Sequence, residues 1–290
     1  MRSLLDIPCK LRGWGWRGIV FLSLLLILPI SQVVGSVLVA PTVIFLSDQN
    51  RTGRMILQNP TNEPREITVR FSFGLPISDS LGNVQVRLDD SLATDPRSCA
   101  EWIRAFPRKM ILQPGATQTV RFVARPPKNL ADGEYWARVV VRSQESKTDI
   151  PVASDAQAIT TNLNMIMQTA ISLKYRTGDL TSTLQLADAE ASLLDSQVVV
   201  MLGLSNKGNI SYLGVLQCRL LDAENKEVST YKIDLAVYYD MLRRIELPVP
   251  AGEFKPPFRV ELSIVNEGRT DVPPEFVVHA EPVESTLAVR

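Results

Sequence analysis

From Val37 to the C-terminus, apolar and polar residues alternate with a period of two, and glycine, proline and asparagine interrupt the alternation at short intervals. A period of two places successive side chains on opposite faces, which is typical of strands with one buried face. Helical periodicity is scarce in the same region. The pattern predicts an all-β chain, and strands spaced about 8 to 12 residues apart favour β-sandwiches of immunoglobulin type.

The predicted strands fall into two sets, separated by a polar segment at 143–158 and a long strand at 159–176. The first set comprises 37–46, 54–58, 66–73, 109–112, 117–124 and 135–142. The second set comprises 197–205, 214–221, 228–233, 241–247, 258–265 and 276–280. Each set is large enough for one sandwich, so we expect two domains.

The long strand at 159–176 contains neither glycine nor proline. Leu163, Met165 and Met167 share one parity, which Ile171 and Leu173 continue. In a strand these side chains lie on one face. The pattern therefore predicts an unusually long strand with one apolar face.

The first 35 residues are typical of an export signal, because basic residues precede the apolar run 18–30. Val33 and Gly35 supply small side chains for cleavage before Ser36, which predicts a mature chain of 36–290. That chain has 27 basic and 30 acidic side chains, a net charge of about −3. The alternative is an uncleaved membrane anchor, since 18–40 is mostly apolar and about as long as a spanning helix.

The composition argues against several classes of function. A single histidine, His279, removes the parts for histidine-based triads and for zinc sites with two or three imidazoles. Basic and acidic residues are equal at 31 each, so no broad nucleic-acid surface is indicated. No phosphate loop, nucleophile elbow or calcium loop occurs. We expect a protein that is not an enzyme and uses no cofactor or metal.

Two cysteines, Cys99 and Cys218, remain after removal of the predicted signal. They fall in different predicted domains. An oxidising compartment permits a disulfide between them, while two separate buried thiols are the alternative.

Four segments occur in an order and spacing that resemble the periplasmic pilus-assembly chaperones, the PapD-like family. They are 55–59 (MILQN), 112–122 (LQPGATQTVRF), 133–136 (GEYW) and 168–176 (QTAISLKYR). The resemblance implies two immunoglobulin-like domains in an L-shaped arrangement, at 36–176 and 177–290, after the signal peptide at 1–35. It also implies a periplasmic protein.

The resemblance implies a chaperone that donates an edge strand to a pilus or fimbrial subunit whose own sandwich lacks one strand. This mode of binding is β-strand addition. Leu163, Met165 and Met167 would then fill the subunit's groove. The alternative is that these three side chains face the core of their own sandwich. An outer-membrane usher is implied as a further partner, and a homodimer can cover the same strand.

Two further sets of residues follow from the resemblance. Glu134, Arg176 and Glu267 correspond to a charged network between the domains. Thr42 and Ser172 occupy the positions where the family binds the subunit's terminal carboxylate with an arginine and a lysine. Neither residue is charged, so Lys174 is considered as a substitute, and Arg51 or Arg54 of the first hairpin is the other candidate cation. This departure puts in doubt an ordinary pilus subunit as the client. The rival function is a structural or adhesive cell-surface β-sandwich protein.

Overall fold

The computed structural model describes residues 37–88, 95–146, 165–252 and 254–290. The predicted signal at 1–35 and Leu163 lie outside the described residues. Residues Ser36–Arg290 form one compact unit. Its described part is built from strands and two short 3-10 helices, Ala100–Trp102 and Pro274–Phe276. The prediction of an all-β fold is confirmed.

The first sandwich consists of two sheets. One has the strand order β1-β3-β9-β7, with β1 at Leu38–Ala40, β3 at Thr52–Gln58, β7 at Ile103–Phe106 and β9 at Thr117–Ala124. The other has the order β2-β11-β10-β4-β8, with β2 at Val43–Ser47, β4 at Arg65–Ser72, β8 at Lys109–Leu112, β10 at Gly133–Glu145 and β11 at Met167–Thr177.

The first predicted strand, 37–46, divides between the two sheets. Its first half, β1, pairs antiparallel with β3, and its second half, β2, pairs parallel with β11. Pro41 lies between them, and proline has no N–H to offer a ladder. The break moves the chain from one sheet to the other.

The core of the first sandwich follows from the alternation in its strands. In β3, Met55 and Leu57 are fully buried while Arg54 and Ile56 are exposed. Ile171, Leu173 and Tyr175 supply the inward face of β11. Burying an aliphatic side chain of this size contributes about 1.5–3 kcal/mol.

The second sandwich also has two sheets. One has the order β12-β13-β16, with β12 at Leu184–Leu194, β13 at Gln197–Asn206 and β16 at Asp240–Pro248. The other has the order β15-β14-β17-β18, with β14 at Tyr212–Leu221, β15 at Glu227–Val237, β17 at Arg259–Val265 and β18 at Val283–Ala288. A separate hydrophobic core lies between them.

A hairpin formed by β5 (Gly74–Ser78) and β6 (Val84–Leu88) links the two sandwiches. Its turn contacts β16, where Leu242 N donates to Ser78 Oγ at 2.8 Å and Arg244 N donates to Gly82 O at 3.0 Å. Gly82 has a φ of +79°, and a Cβ there would lie 2.7 Å from Arg244 N. Glycine is therefore required for this close approach.

Three details differ from the sequence prediction. The strand predicted at 276–280 is absent, and the last strand is β18 instead. The strands β7 and β12 and the β5–β6 hairpin were not predicted. Within the described residues, the strand predicted from 159 begins only at Met167. For the cysteines, the alternative of two separate buried thiols is confirmed, since Cys99 lies in one core and Cys218 in the other. Among the described helices none is long and apolar enough to cross a bilayer.

Candidate functional site

The strand β11 changes its environment halfway along its length. From Met167 to Thr177 it pairs antiparallel with β10. On its other side β2 pairs only with Ser172–Arg176. Within the described strands, the edge of Met167–Ile171 that faces away from β10 therefore has no neighbouring strand, over about 16 Å of backbone.

The backbone direction along this edge follows from one hydrogen bond. Ser172 N donates at 3.0 Å to the carbonyl oxygen of Thr42, the residue that precedes the parallel strand β2. Because successive residues of a strand point their backbone groups to opposite edges, Gln168 and Ala170 direct theirs to the same edge beyond the end of β2. Such an edge can pair with another chain.

Exposed apolar side chains accompany the free edge. Met165 is 49% exposed, Ile166 44% and Met167 36%. Both methionines share the parity of the inward-facing residues of β11, but they lie beyond the end of the core. Of the three residues predicted to fill a client's groove, these two are therefore accessible, and Leu163 lies outside the described residues.

The second half of β11 is held by a buried ionic cluster. The Glu134 carboxylate is fully buried and accepts from Lys174 Nζ and Arg176 Nε, both at 2.8 Å. It also accepts from Trp136 Nε1 at 2.7 Å and from Ser211 Oγ at 2.5 Å. Glu134, Lys174 and Arg176 belong to the first sandwich and Ser211 to the second, so the cluster joins the two.

The electrostatics keep this carboxylate ionised. Burial alone would raise the pKa of Glu134, but the charges of Lys174 and Arg176 outweigh it and lower the pKa to about 2. A buried charge is stable only when it is paired and hydrogen-bonded, as Glu134 is here. The cluster therefore depends on all three ions being present.

Glu267 does not join this cluster, although the resemblance assigned it there. It is exposed in the turn that follows β17, and no hydrogen bond or ion pair connects it to Arg176 within the described residues. Arg176 also donates from Nη1 to the carbonyl oxygen of Phe276, at 2.5 Å. Lys174 supplies the second charge partner of Glu134, so the network has two cations and one anion.

The candidate carboxylate anchors lie together, but the lysine is occupied. Thr42 and Ser172 are joined by their backbones, and Ser172 Oγ lies 3.3 Å from Tyr238 Oη. Lys174 is 1% exposed, and its Nζ donates to Glu134, Ser211 and Tyr238. All three of its donors are used, so Lys174 has none left to bind a client's carboxylate.

Two features of this site were not predicted from the sequence. One is the burial of Lys174, and the other is the aromatic contact of Trp136 with Tyr238, whose ring centroids are 4.8 Å apart. Both depend on residues far apart in the chain. In the described part of the protein, no group of three or more His, Cys, Asp or Glu side chains could hold a metal ion.

A comparison with protein-family models finds no match, and a comparison with curated proteins finds none either. Solved structures do match. The YadV chaperone is 14% identical, with 87% of this chain and 98% of that chain covered and a TM-score of 0.43. The E. coli chaperone DraB is 13% identical, with 86% and 97% covered and a TM-score of 0.42.

A third match is the CsuC–CsuE chaperone–tip adhesion subunit pre-assembly complex from archaic chaperone-usher Csu pili of Acinetobacter baumannii. It is 11% identical, with 88% of this chain and 99% of that chain covered and a TM-score of 0.44.

Proposed function

We propose that this protein is a chaperone that binds pilus-type or fimbrial subunits by donating the free edge of β11. The observation that carries the proposal is the change in pairing along that strand. From Ser172 onward both edges are paired, whereas the described residues before it have one edge open and display Met165 and Met167. This geometry suits β-strand addition, in which backbone pairing gives affinity and alternate side chains fill pockets.

The side chains on the open half suit an apolar groove. Methionine is unbranched and flexible, so it can fill pockets of irregular shape. Burying two methionines and Leu163 would contribute several kcal/mol, at about 25 cal/mol per Å² of apolar surface, before the cost of ordering is subtracted. An adhesive protein that uses this strand only for its own sheet would have no need to expose them.

The proposal places the mature chain, 36–290, in the periplasm after removal of 1–35. Its domains are 36–176, which donates the strand, and 177–290, which is joined to the first through Glu134. An outer-membrane usher that receives the client belongs to the same proposal. So does a homodimer in which two copies cover each other's open edge when no client is bound.

The test is affinity capture from the periplasm of cells that co-express the chain with the secreted proteins encoded beside its gene. The wild type should capture a subunit with an incomplete sandwich. A triple variant with Leu163→Asn, Met165→Asn and Met167→Asn should lose at least nine-tenths of that capture. A control variant with Leu193→Asn and Leu194→Asn removes two apolar side chains of β12 that are about as exposed as Met165 and Met167. This control should capture the subunit as the wild type does.

Thermal melts of both variants accompany the capture assay. Met165, Met167, Leu193 and Leu194 are exposed, and exposed apolar residues contribute little to the folded state, so both variants should melt close to the wild type. A triple variant that unfolds supports the alternative in which these residues serve their own core. Capture of no secreted protein, or equal capture by the triple variant, contradicts the proposal.

A further inference from the structure

The strand β2 has an open edge of its own, on the side that faces away from β11. This strand has one described neighbour, β11, and Thr42 directs its carbonyl toward it. By the period of two, Val43 and Phe45 direct their backbone groups to the other side. There they border a groove with a volume of about 950 Å³, lined by β2, β3, β9 and the 271–276 loop of the second sandwich.

The groove is mainly apolar. Pro41, Phe122 and Pro273 line it, together with Phe45 and Phe276. The rings of Phe45 and Phe276 are stacked with their centroids 4.4 Å apart. These two residues come from different sandwiches, so both sandwiches contribute to the lining of the groove.

Two arginines line the same groove without a carboxylate partner in the described part of the chain. Arg54 of β3 and Arg121 of β9 are directly opposite each other in the antiparallel register. Both are exposed, and neither has an ion pair among the described residues. Like charges directly opposite on a sheet are destabilising. The acid that lines the groove, Asp271, is bound by Arg269 at 2.8 and 2.6 Å.

We propose that this groove is a second polypeptide-binding site, which takes an extended apolar segment that carries an acidic side chain. The open edge of β2 pairs with the segment's backbone, the apolar walls hold its alternate side chains, and Arg54 with Arg121 binds the carboxylate. Charge complementarity selects the acidic residue, because two guanidinium groups can hold one carboxylate through several charge-assisted hydrogen bonds. The site is separate from β11's open half and does not depend on the chaperone proposal.

The test uses a dye-labelled peptide with capped termini, Val-Thr-Val-Asp-Val-Thr-Val, and its twin with asparagine in place of aspartate. Affinity is measured by fluorescence anisotropy on the full mature chain. The aspartate peptide should bind about tenfold more tightly than the asparagine twin, as expected for charge-assisted hydrogen bonds. Raising the ionic strength should reduce that difference.

Variants locate the binding on the protein. The double variant Arg54→Gln with Arg121→Gln should lower the affinity for the aspartate peptide to the affinity for the asparagine peptide. Phe276→Ala should weaken both peptides alike, since it removes part of the apolar wall. Arg104→Gln is the matched control, because Arg104 lies on the same sheet face but does not line the groove.

Several outcomes overturn the inference. Equal affinity for the two peptides, no binding at millimolar concentration, or an effect of Arg104→Gln as large as that of the double variant each does so. A third peptide, with asparagine and a free C-terminal carboxylate, tests the source of the charge. If only that peptide binds in an arginine-dependent way, the site recognises a chain terminus, and the assignment to an acidic side chain is wrong.

Discussion

The two halves of β11 have the same backbone conformation but opposite surroundings. From Ser172 to Arg176 the strand is paired on both edges, and two of its polar side chains bind a buried carboxylate. From Met167 to Ile171 it is paired on one edge, and its first residues are exposed. One half fixes the strand between the two sandwiches, and the other extends from that fixed base.

This difference explains how an open edge can be kept in an extended conformation. An isolated strand with a free edge would pay the full conformational entropy of ordering its backbone, at about 1–2 kcal/mol per residue. Here β10 already orders the free half, and the ionic cluster at Glu134 holds the residues that follow it. The strand is preorganised for pairing, which lowers the cost of binding.

The largest expected effect comes from breaking the fixed half. Glu134→Gln keeps the shape of the side chain but leaves Lys174 and Arg176 buried without a counter-charge. Removing one partner of a buried ionic group costs about 3–5 kcal/mol, so the free energy of unfolding should fall by that amount in urea titrations. Glu227→Gln breaks the exposed pair with Arg219 and should cost less than about 1 kcal/mol. A loss of similar size in both variants contradicts the assigned role of the cluster.

The same carboxylate predicts a dependence on pH. The pKa of Glu134 falls from its ordinary value of 4.5 to about 2 on folding. Its contribution is therefore fully present above pH 4.5 and is lost as the pH falls toward 2, with an upper limit of about 3 kcal/mol. Urea titrations at pH 2 to 6 measure this loss. Glu134→Gln should remove the corresponding part of the change in unfolding free energy with pH. An unchanged pH dependence in this variant contradicts the prediction.

A pair of proline substitutions compares the two edges of the free half directly. Thr169 directs its N–H to β10, so Thr169→Pro removes a ladder bond and should cost roughly 1–3 kcal/mol. Ala170 directs its N–H to the open edge, so Ala170→Pro should cost less than about 1 kcal/mol while reducing client capture. Urea titrations and the capture assay measure both effects. Equal destabilisation by the two prolines would mean that the N–H of Ala170 is already hydrogen-bonded in the unliganded chain.

From Met167 onward the sequence predicts the strand β11 well, because its information is local. The alternation through Met165, Met167 and Ile171 requires no knowledge of distant residues. The break at Pro41 and the parallel pairing of β2 were not predicted, because strand register depends on residues far apart in the chain. The β5–β6 hairpin was also missed, since Pro76 lies in a segment with weak alternation.

The ionic cluster shows a different limit. The pairing of Glu134 with Arg176 was expected only through the family resemblance, and no periodicity indicates it. Lys174 was considered only as a substitute anchor for a client's carboxylate, and lysine is seldom fully buried. Its burial depends on Ser211 and Tyr238, which the fold brings from the second sandwich. Only the tertiary structure shows that its donors are used.

The smallest expected effect concerns the other sheet of the first sandwich, where β3 pairs with β9. Arg54 and Arg121 repel each other across the strand pair, so Arg54→Gln should raise the free energy of unfolding of the unliganded chain by a few tenths of a kcal/mol. The gain should disappear at high salt, since the repulsion between exposed charges is screened. Arg104→Gln should give no gain, because Arg104 is opposite Val123. If both variants stabilise the chain equally, the benefit comes from lowering the charge of the whole face, and the two opposed arginines carry no special strain.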